Sequence, residues 1–165
     1  MNYDLTEGSI TKNLLKFAFP MMIGNLLQQF YNVADTLIVG RFLGADALAA
    51  VGSSYTLMTF ITSILLGLCM GSSAFFSVQY GRKDFEKMKN GIFLSFAMIG
   101  MVTILLNVLV VGEIDFIIRV LQVPDEIRSL MREYLLCIFI GIAATFFYNF
   151  FANLLRAIGN SVVPL

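Results

Sequence analysis

The sequence has 165 residues, 58% of them hydrophobic and only 13% charged, with a mean hydropathy of +0.83. Soluble domains carry about 25% charged residues, so this is the composition of an integral membrane protein. Lys plus Arg balance Asp plus Glu at 11 each, which gives no electrostatic footprint for nucleic acid, and His, the commonest metal ligand and general base, is absent. Cys69 and Cys137 both fall inside apolar runs and read as small buried hydrophobes rather than as a disulfide or zinc site.

Residues 1–13 are polar and hold Asp4, Glu7 and Lys12, with Ser9 or Thr11 placed to cap a first helix. A first membrane span is expected over residues 14–39, with Pro20 near its start, where a missing N–H matters least. It is too long and too rich in amides for a cleaved signal peptide. Asn25, Gln28, Gln29, Asn32, Asp35 and Thr36 interrupt it, and at about 100° per residue they fall within an arc of roughly 120°. Such a stripe must look at other helices or at water, because lipid would leave its groups unsatisfied. Asp35 is its sharpest point. A carboxylate in a span costs about 2.5–3.5 kcal/mol at the membrane centre and less toward the interface. Either it balances Arg41 just past the helix end, or desolvation and neutral oxygen neighbours let it exchange a proton or hold Na⁺.

A turn over residues 40–46 leads to a second span, residues 52–79, rich in Ser and Thr. Within it Ser63, Gly67 and Gly71 form a small face suited to close packing inside a bundle. The charged stretch 81–90 reads as a solvated cytoplasmic loop. Span three, residues 91–112, has Asn107 as its one strong polar group. Ile114, Ile117, Ile118 and Leu121 then mark one face of a short amphipathic helix at the interface. Pro124 ends it, and Asp125 and Glu126 suit the first turn of span four, residues 125–156. Thr145, Asn149, Asn153 and Arg156 cluster on one face of that span, a second polar stripe expected to face the first; interhelical hydrogen bonding is the alternative role for its amides. The apolar stretch 161–165 reads as the start of a fifth span, so the chain is expected to be the N-terminal part of a longer protein. Seven basic residues (Lys12, Lys16, Arg82, Lys83, Lys87, Lys89, Arg156) against four (Arg41, Arg119, Arg128, Arg132) place the N-terminus in the cytoplasm.

Four pieces of this sequence together resemble multidrug and toxic compound extrusion (MATE) transporters. They are residues 12–20 (KNLLKFAFP), residues 28–52 (QQFYNVADTLIVGRFLGADALAAVG), residues 79–84 (QYGRKD), and residues 156–161 (RAIGNS) with Pro164. The resemblance implies an all-α fold of twelve transmembrane helices in two six-helix bundles, of which this chain supplies the first four. It also implies export of amphipathic, often cationic organic compounds in exchange for H⁺ or Na⁺ across the plasma membrane, with no other cofactor. The family's first-helix aspartate falls on Asp35, and fourth-helix amides near the same cavity fall on Asn149 and Asn153. Gln28, Gln29, Asn32, Thr36 and Thr145 are then expected to line the cavity. Asn160 stands where many members have Asp. A lipid-linked saccharide flippase of the same superfamily is the nearest alternative; it would need a more cationic cavity. A membrane enzyme is disfavoured by the missing His and second intramembrane carboxylate, and a four-helix scaffold subunit by the abrupt C-terminus.

Overall fold

The computed structural model describes residues 9–164, and among them every regular element is helical. Helix α1 spans Ile10–Phe42, and Ser9 takes its N-cap position without a side-chain cap bond, so neither candidate cap acts as one. Asp4 and Glu7 lie outside the described residues. A tight turn at Gly44, with φ of +88°, leads into α2, Ala45–Gly81, so the expected connection over 40–46 shrinks to two residues. Gly40 lies against Leu48 at this hairpin, where an added Cβ would sit 3.3 Å from the leucine methyl.

The expected charged loop over 81–90 is equally compact, because only Arg82–Asp84 lie between α2 and α3 (Phe85–Gly112). Lys83 adopts a left-handed φ of +59°, and the Asp84 N–H reaches back to the Gln79 carbonyl at 3.1 Å, closing the end of α2 in a Schellman turn. Asp84 then caps α3: its Oδ1 accepts from the Lys87 N–H at 3.2 Å, and its carboxylate meets the Lys87 ammonium at 3.0 Å. These hydrogen bonds hold the Asp84 carboxyl below the usual carboxylate range. Folding lowers this pKa, so the cap is complete above the ordinary value of about 3.9 and is lost only as pH falls through the lower folded value.

Helix α4, Ile114–Val120, is the expected amphipathic segment, with Ile114 and Ile118 buried against the bundle. Span four departs from the expected single run over 125–156. It is broken at Gly141 into α5 (Asp125–Ile140) and α6 (Ile142–Ala157), bent by 45°. Glycine is a poor helix former, and the Gly141 N–H turns to the Ile138 carbonyl at 2.9 Å instead of continuing the α ladder. The break disturbs hydrogen bonding around the Phe139 carbonyl, which accepts the side-chain N–H of Asn107 from α3. The one strong polar group of span three therefore serves the kink in span four. The Arg132 guanidinium, 3.1 Å from Asp115, ties α5 to α4.

The core centres on α2, which packs against α3, α5 and α6. Its buried stripe of Ala50, Ser54, Ile61, Leu65, Cys69 and Phe76 meets Ile127, Met131, Leu135 and Phe139 of α5 and Phe146 and Phe150 of α6. Phe96 of α3 joins the aromatic centre, 5.3 Å from the rings of both Phe146 and Phe150. Hydroxyl groups inside the bundle return to their own helices: Ser54 to the Ala50 carbonyl and Thr103 to that of Ile99, both at 2.8 Å. Gly91 of α3 is covered by the Phe75 ring of α2, which an added Cβ would approach within 2.3 Å. No such approach occurs at Gly67 or Gly71, whose expected packing face is open among the described residues.

Helices α2 and α3 are each long and apolar enough to cross a membrane, and the bent α5–α6 pair makes a third span. Helix α1 matches them in length but not in apolarity, because its amides and Asp35 dilute the run. It buries no residue and, among the described helices, closely approaches only α2.

Asn107→Leu keeps the volume and removes the donor to the kink. It should lower the stability of the purified protein by about 1–2 kcal/mol, the range for a buried carbonyl left unpaired or an interhelical hydrogen bond lost. Denaturant titration in detergent measures this, and an unchanged midpoint would mean that the Phe139 carbonyl does not need Asn107.

Candidate transport cleft

Because α1 stands away from the bundle, a cleft of about 330 Å³ opens between it, α6 and the C-terminal segment. Met21, Gly24, Asn25, Leu27 and Gln28 form the α1 wall, and Tyr148, Asn149 and Arg156 the α6 wall, with Leu66, Ser161 and Pro164 completing it. The wall is polar for local reasons. Thr145, Asn149 and Asn153 recur every four residues, and each donates back into its own helix: Thr145 Oγ1 to the Gly141 carbonyl at 3.4 Å, Asn149 Nδ2 to that of Thr145, and Asn153 Nδ2 to that of Asn149, both at 2.8 Å. Each amide commits one N–H in this way, and Asn149 lines the cleft while Asn153 is buried on the next turn of α6. Ser73 of α2 donates to the Asn153 carbonyl at 2.9 Å and fixes this end of α6.

At the floor of the cleft, Arg156 Nε and Ser161 Oγ are buried and find no hydrogen-bond partner among the described residues. Gly159, at φ of +87°, ends α6 in a second Schellman turn, with the Asn160 N–H 2.9 Å from the Leu155 carbonyl. Asn160 Oδ1 then accepts from the N–H groups of Val162 and Val163 at 3.3 and 3.1 Å, the pattern of a helix N-cap. An Asp at this position would accept the same two bonds, so Asn160 preserves the local geometry. The Tyr148 hydroxyl donates to the Pro164 carbonyl at 3.0 Å and holds the segment against α6.

The α1 stripe divides. Asn25 and Gln28 face the cleft, whereas Gln29, Asn32 and Thr36 line a shallow groove of about 460 Å³ formed with Val33 and Leu37 of the same helix. There they satisfy one another, with Asn32 Nδ2 donating to Gln29 Oε1 at 2.9 Å and Thr36 Oγ1 to the Asn32 carbonyl at 2.8 Å. Asp35 lines neither space. It lies two turns beyond Gln28, about 10 Å along α1, and one turn beyond Tyr31 of the same helix. It makes no ion pair with Arg41 among the described residues. The structure thus brings Gln28 and Asn149 into one cleft, with Asn153 on the next turn of α6, and leaves Asp35 outside it at a different level of α1. The Gly141 break was not anticipated, and a lone Gly within an apolar run was the only signal for it. Among the described residues no group of three or more His, Cys, Asp or Glu side chains comes together.

The described chain is thus all-helical, with helices long and apolar enough to cross a membrane and a polar first helix beside a cleft. A sequence model described as MatE matches residues 20–165, and the chain belongs to this family. It is 34% identical over 163 residues to the "Probable multidrug resistance protein YpnP" of Bacillus subtilis, covering 99% of this chain and 37% of that protein. It is 27% identical over 169 residues to the "Multidrug export protein MepA" of Staphylococcus aureus, covering 99% of this chain and 36% of the relative. Among solved structures, an outward-facing multidrug resistance MATE transporter superposes with a TM-score of 0.88 at 27% identity, over 95% of this chain and 35% of that one. A MATE structure in a bent conformation gives 0.86 at the same identity and coverage. The chain therefore spans about a third of the length of the relatives it matches.

The division of the α1 stripe is testable by cross-linking in a protein of the relatives' length, with Cys69 and Cys137 replaced. Gln28→Cys with Asn149→Cys should link efficiently through a short bifunctional thiol reagent. Gln29→Cys with Asn149→Cys should link at least several-fold less, and equal yields would contradict the placement of Gln29 outside the cleft.

Proposed function

We propose that this chain works as part of a secondary antiporter that exports amphipathic or cationic organic compounds across the plasma membrane in exchange for H⁺ or Na⁺. Family membership supports the reading, and the observation that carries it is Asp35, a carboxylate in the polar stripe of α1 with no ion-pair partner among the described residues. Intramembrane carboxylates are retained for function far more often than for packing. One turn before Asp35 on α1 stands the phenol of Tyr31. A phenol can donate to the carboxylate when it is ionised and can offer oxygen when Na⁺ is bound.

In this account Asp35 binds the coupling ion, while Asn149 and Asn153, with Gln28 across the cleft, present the amides that substrate or ion meets lower down. Gln29, Asn32, Thr36 and Thr145 supply the polar surface along the same route as α1 moves. Coupling requires that ion and substrate favour different states, because a ligand with equal affinity for both shifts nothing. Helix α1 is the element suited to report ion binding, since it makes few close contacts and carries the carboxylate. Further helices in a protein of the relatives' length would complete the bundle around the polar faces that stand open here.

Asp35→Asn keeps the shape and removes the titratable charge. In a protein of the relatives' length it should leave expression and substrate binding in place and reduce gradient-driven efflux from vesicles by at least about tenfold, while Asp35→Glu retains part of it. Normal efflux by a well-expressed Asp35→Asn protein would remove Asp35 from the coupling step.

Orientation is checked separately. With the N-terminus in the cytoplasm, a Cys at Lys87 should resist an impermeant thiol reagent in intact cells and one at Gln122 should label. The reverse pattern would invert the topology and move Asp35 to the inner half of the membrane.

A further inference from the structure

Opposite the cleft, α3 and α6 form a groove of about 450 Å³ whose walls include Phe85, Phe93, Phe96 and Phe151, with Met88, Ile92 and Phe150 behind them. One charged group lines it, Lys89, and no acidic residue does. We infer that this groove holds one acyl chain of an anionic phospholipid of the cytoplasmic leaflet, with the lipid phosphate on the Lys89 ammonium.

Four observations carry the assignment. First, the groove faces outward. On α6, Phe147 and Phe151 project about 160° away from Asn149 and Asn153 respectively, two residues on, and the asparagine face carries the transport cleft. On α3, Phe93 is 75% exposed with no described helix over it. Second, the depth suits a single leaflet. Seven residues separate Lys89 from Phe96, about 10 Å along the helix, against a half-bilayer hydrocarbon depth of about 15 Å. Third, the floor is rigid. Phe96 contacts the rings of Phe146, Phe147, Phe150 and Phe151 at centroid distances of 5.3 to 6.2 Å, so the groove is preformed and a chain entering it orders little protein. Fourth, the charge is complementary. Lys87 is held by Asp84 at 3.0 Å, but Lys89 has no carboxylate partner among the described residues. Basic pockets between membrane helices on the cytoplasmic side select anionic head groups. The volume is also within the range of about 300–1,000 Å³ usual for ligand clefts. This assignment uses none of the residues of the proposed transport route, so either can fail alone.

The test is retention of lipid by the purified protein of the relatives' length, read by native mass spectrometry after exchange into phosphatidylglycerol or phosphatidylcholine. The wild type should retain phosphatidylglycerol over phosphatidylcholine, and Lys89→Gln should weaken that retention by about fivefold, the weight of one lysine near an anionic surface. Lys89→Arg should restore it, and Lys87→Gln should leave it unchanged because Lys87 does not line the groove. Phe93→Ala with Phe151→Ala should lower retention of both lipids alike by thinning the walls. Should the Lys89 variants fold poorly, the Lys87 and phenylalanine variants still decide, because the proposal assigns them opposite outcomes. Equal retention of the two lipids by the wild type would overturn the assignment. So would equal loss from Lys87→Gln and Lys89→Gln, or displacement of the lipid by millimolar inorganic phosphate, which would mark a plain anion site.

Discussion

A backbone carbonyl without a donor is costly in water-poor surroundings and more so in lipid, where no solvent can take the donor's place. The Phe139 carbonyl, beside the break at Gly141, accepts such a donor from the Asn107 side chain of α3. The bond joins two spans at the point where span four bends by 45°. On either side of the bend α5 and α6 each keep a separate contact with α2, and α6 also packs against α3.

Packing within the bundle and looseness of α1 belong together. Between membrane helices there is little hydrophobic driving force, so close fit and hydrogen bonds decide which elements associate. Helices α2 to α6 meet these needs with interlocked aromatic rings, the Gly91–Phe75 approach and the Ser73–Asn153 bond. Helix α1 offers no buried residue. Among the described helices it is held mainly through its hairpin with α2, and it carries the one carboxylate of the polar stripe.

Much of this was legible in the residues. The long apolar runs correspond to α2, α3 and the bent α5–α6 pair, whereas α1 is too diluted by polar groups to match them, and four motifs pointed to the family. What escaped depended on tertiary detail that a period cannot carry. The α1 stripe spans a 120° arc, wide enough for Gln28 and Gln29 to face different spaces, and only the position of α6 shows where it divides. Asn107 was conspicuous in span three, but its partner, the Phe139 carbonyl, lies beside a break at Gly141 that the apolar run does not mark. Gly67 and Gly71 fit a packing pattern that the described helices leave unused, while Gly91, outside any pattern, makes the close contact.

The central claim, that α1 moves against a fixed bundle in response to the ion at Asp35, is tested most directly by double electron–electron resonance in a protein of the relatives' length. Spin labels at Leu26 on α1 and Phe147 on α6 should give a distance distribution that shifts when pH or Na⁺ is changed, whichever ion couples. The same labels in Asp35→Asn should show no shift, and a pair at Val78 on α2 and Phe147 should stay constant throughout. An α1–α6 distance indifferent to both ions, or a shift that persists in Asp35→Asn, would contradict the account.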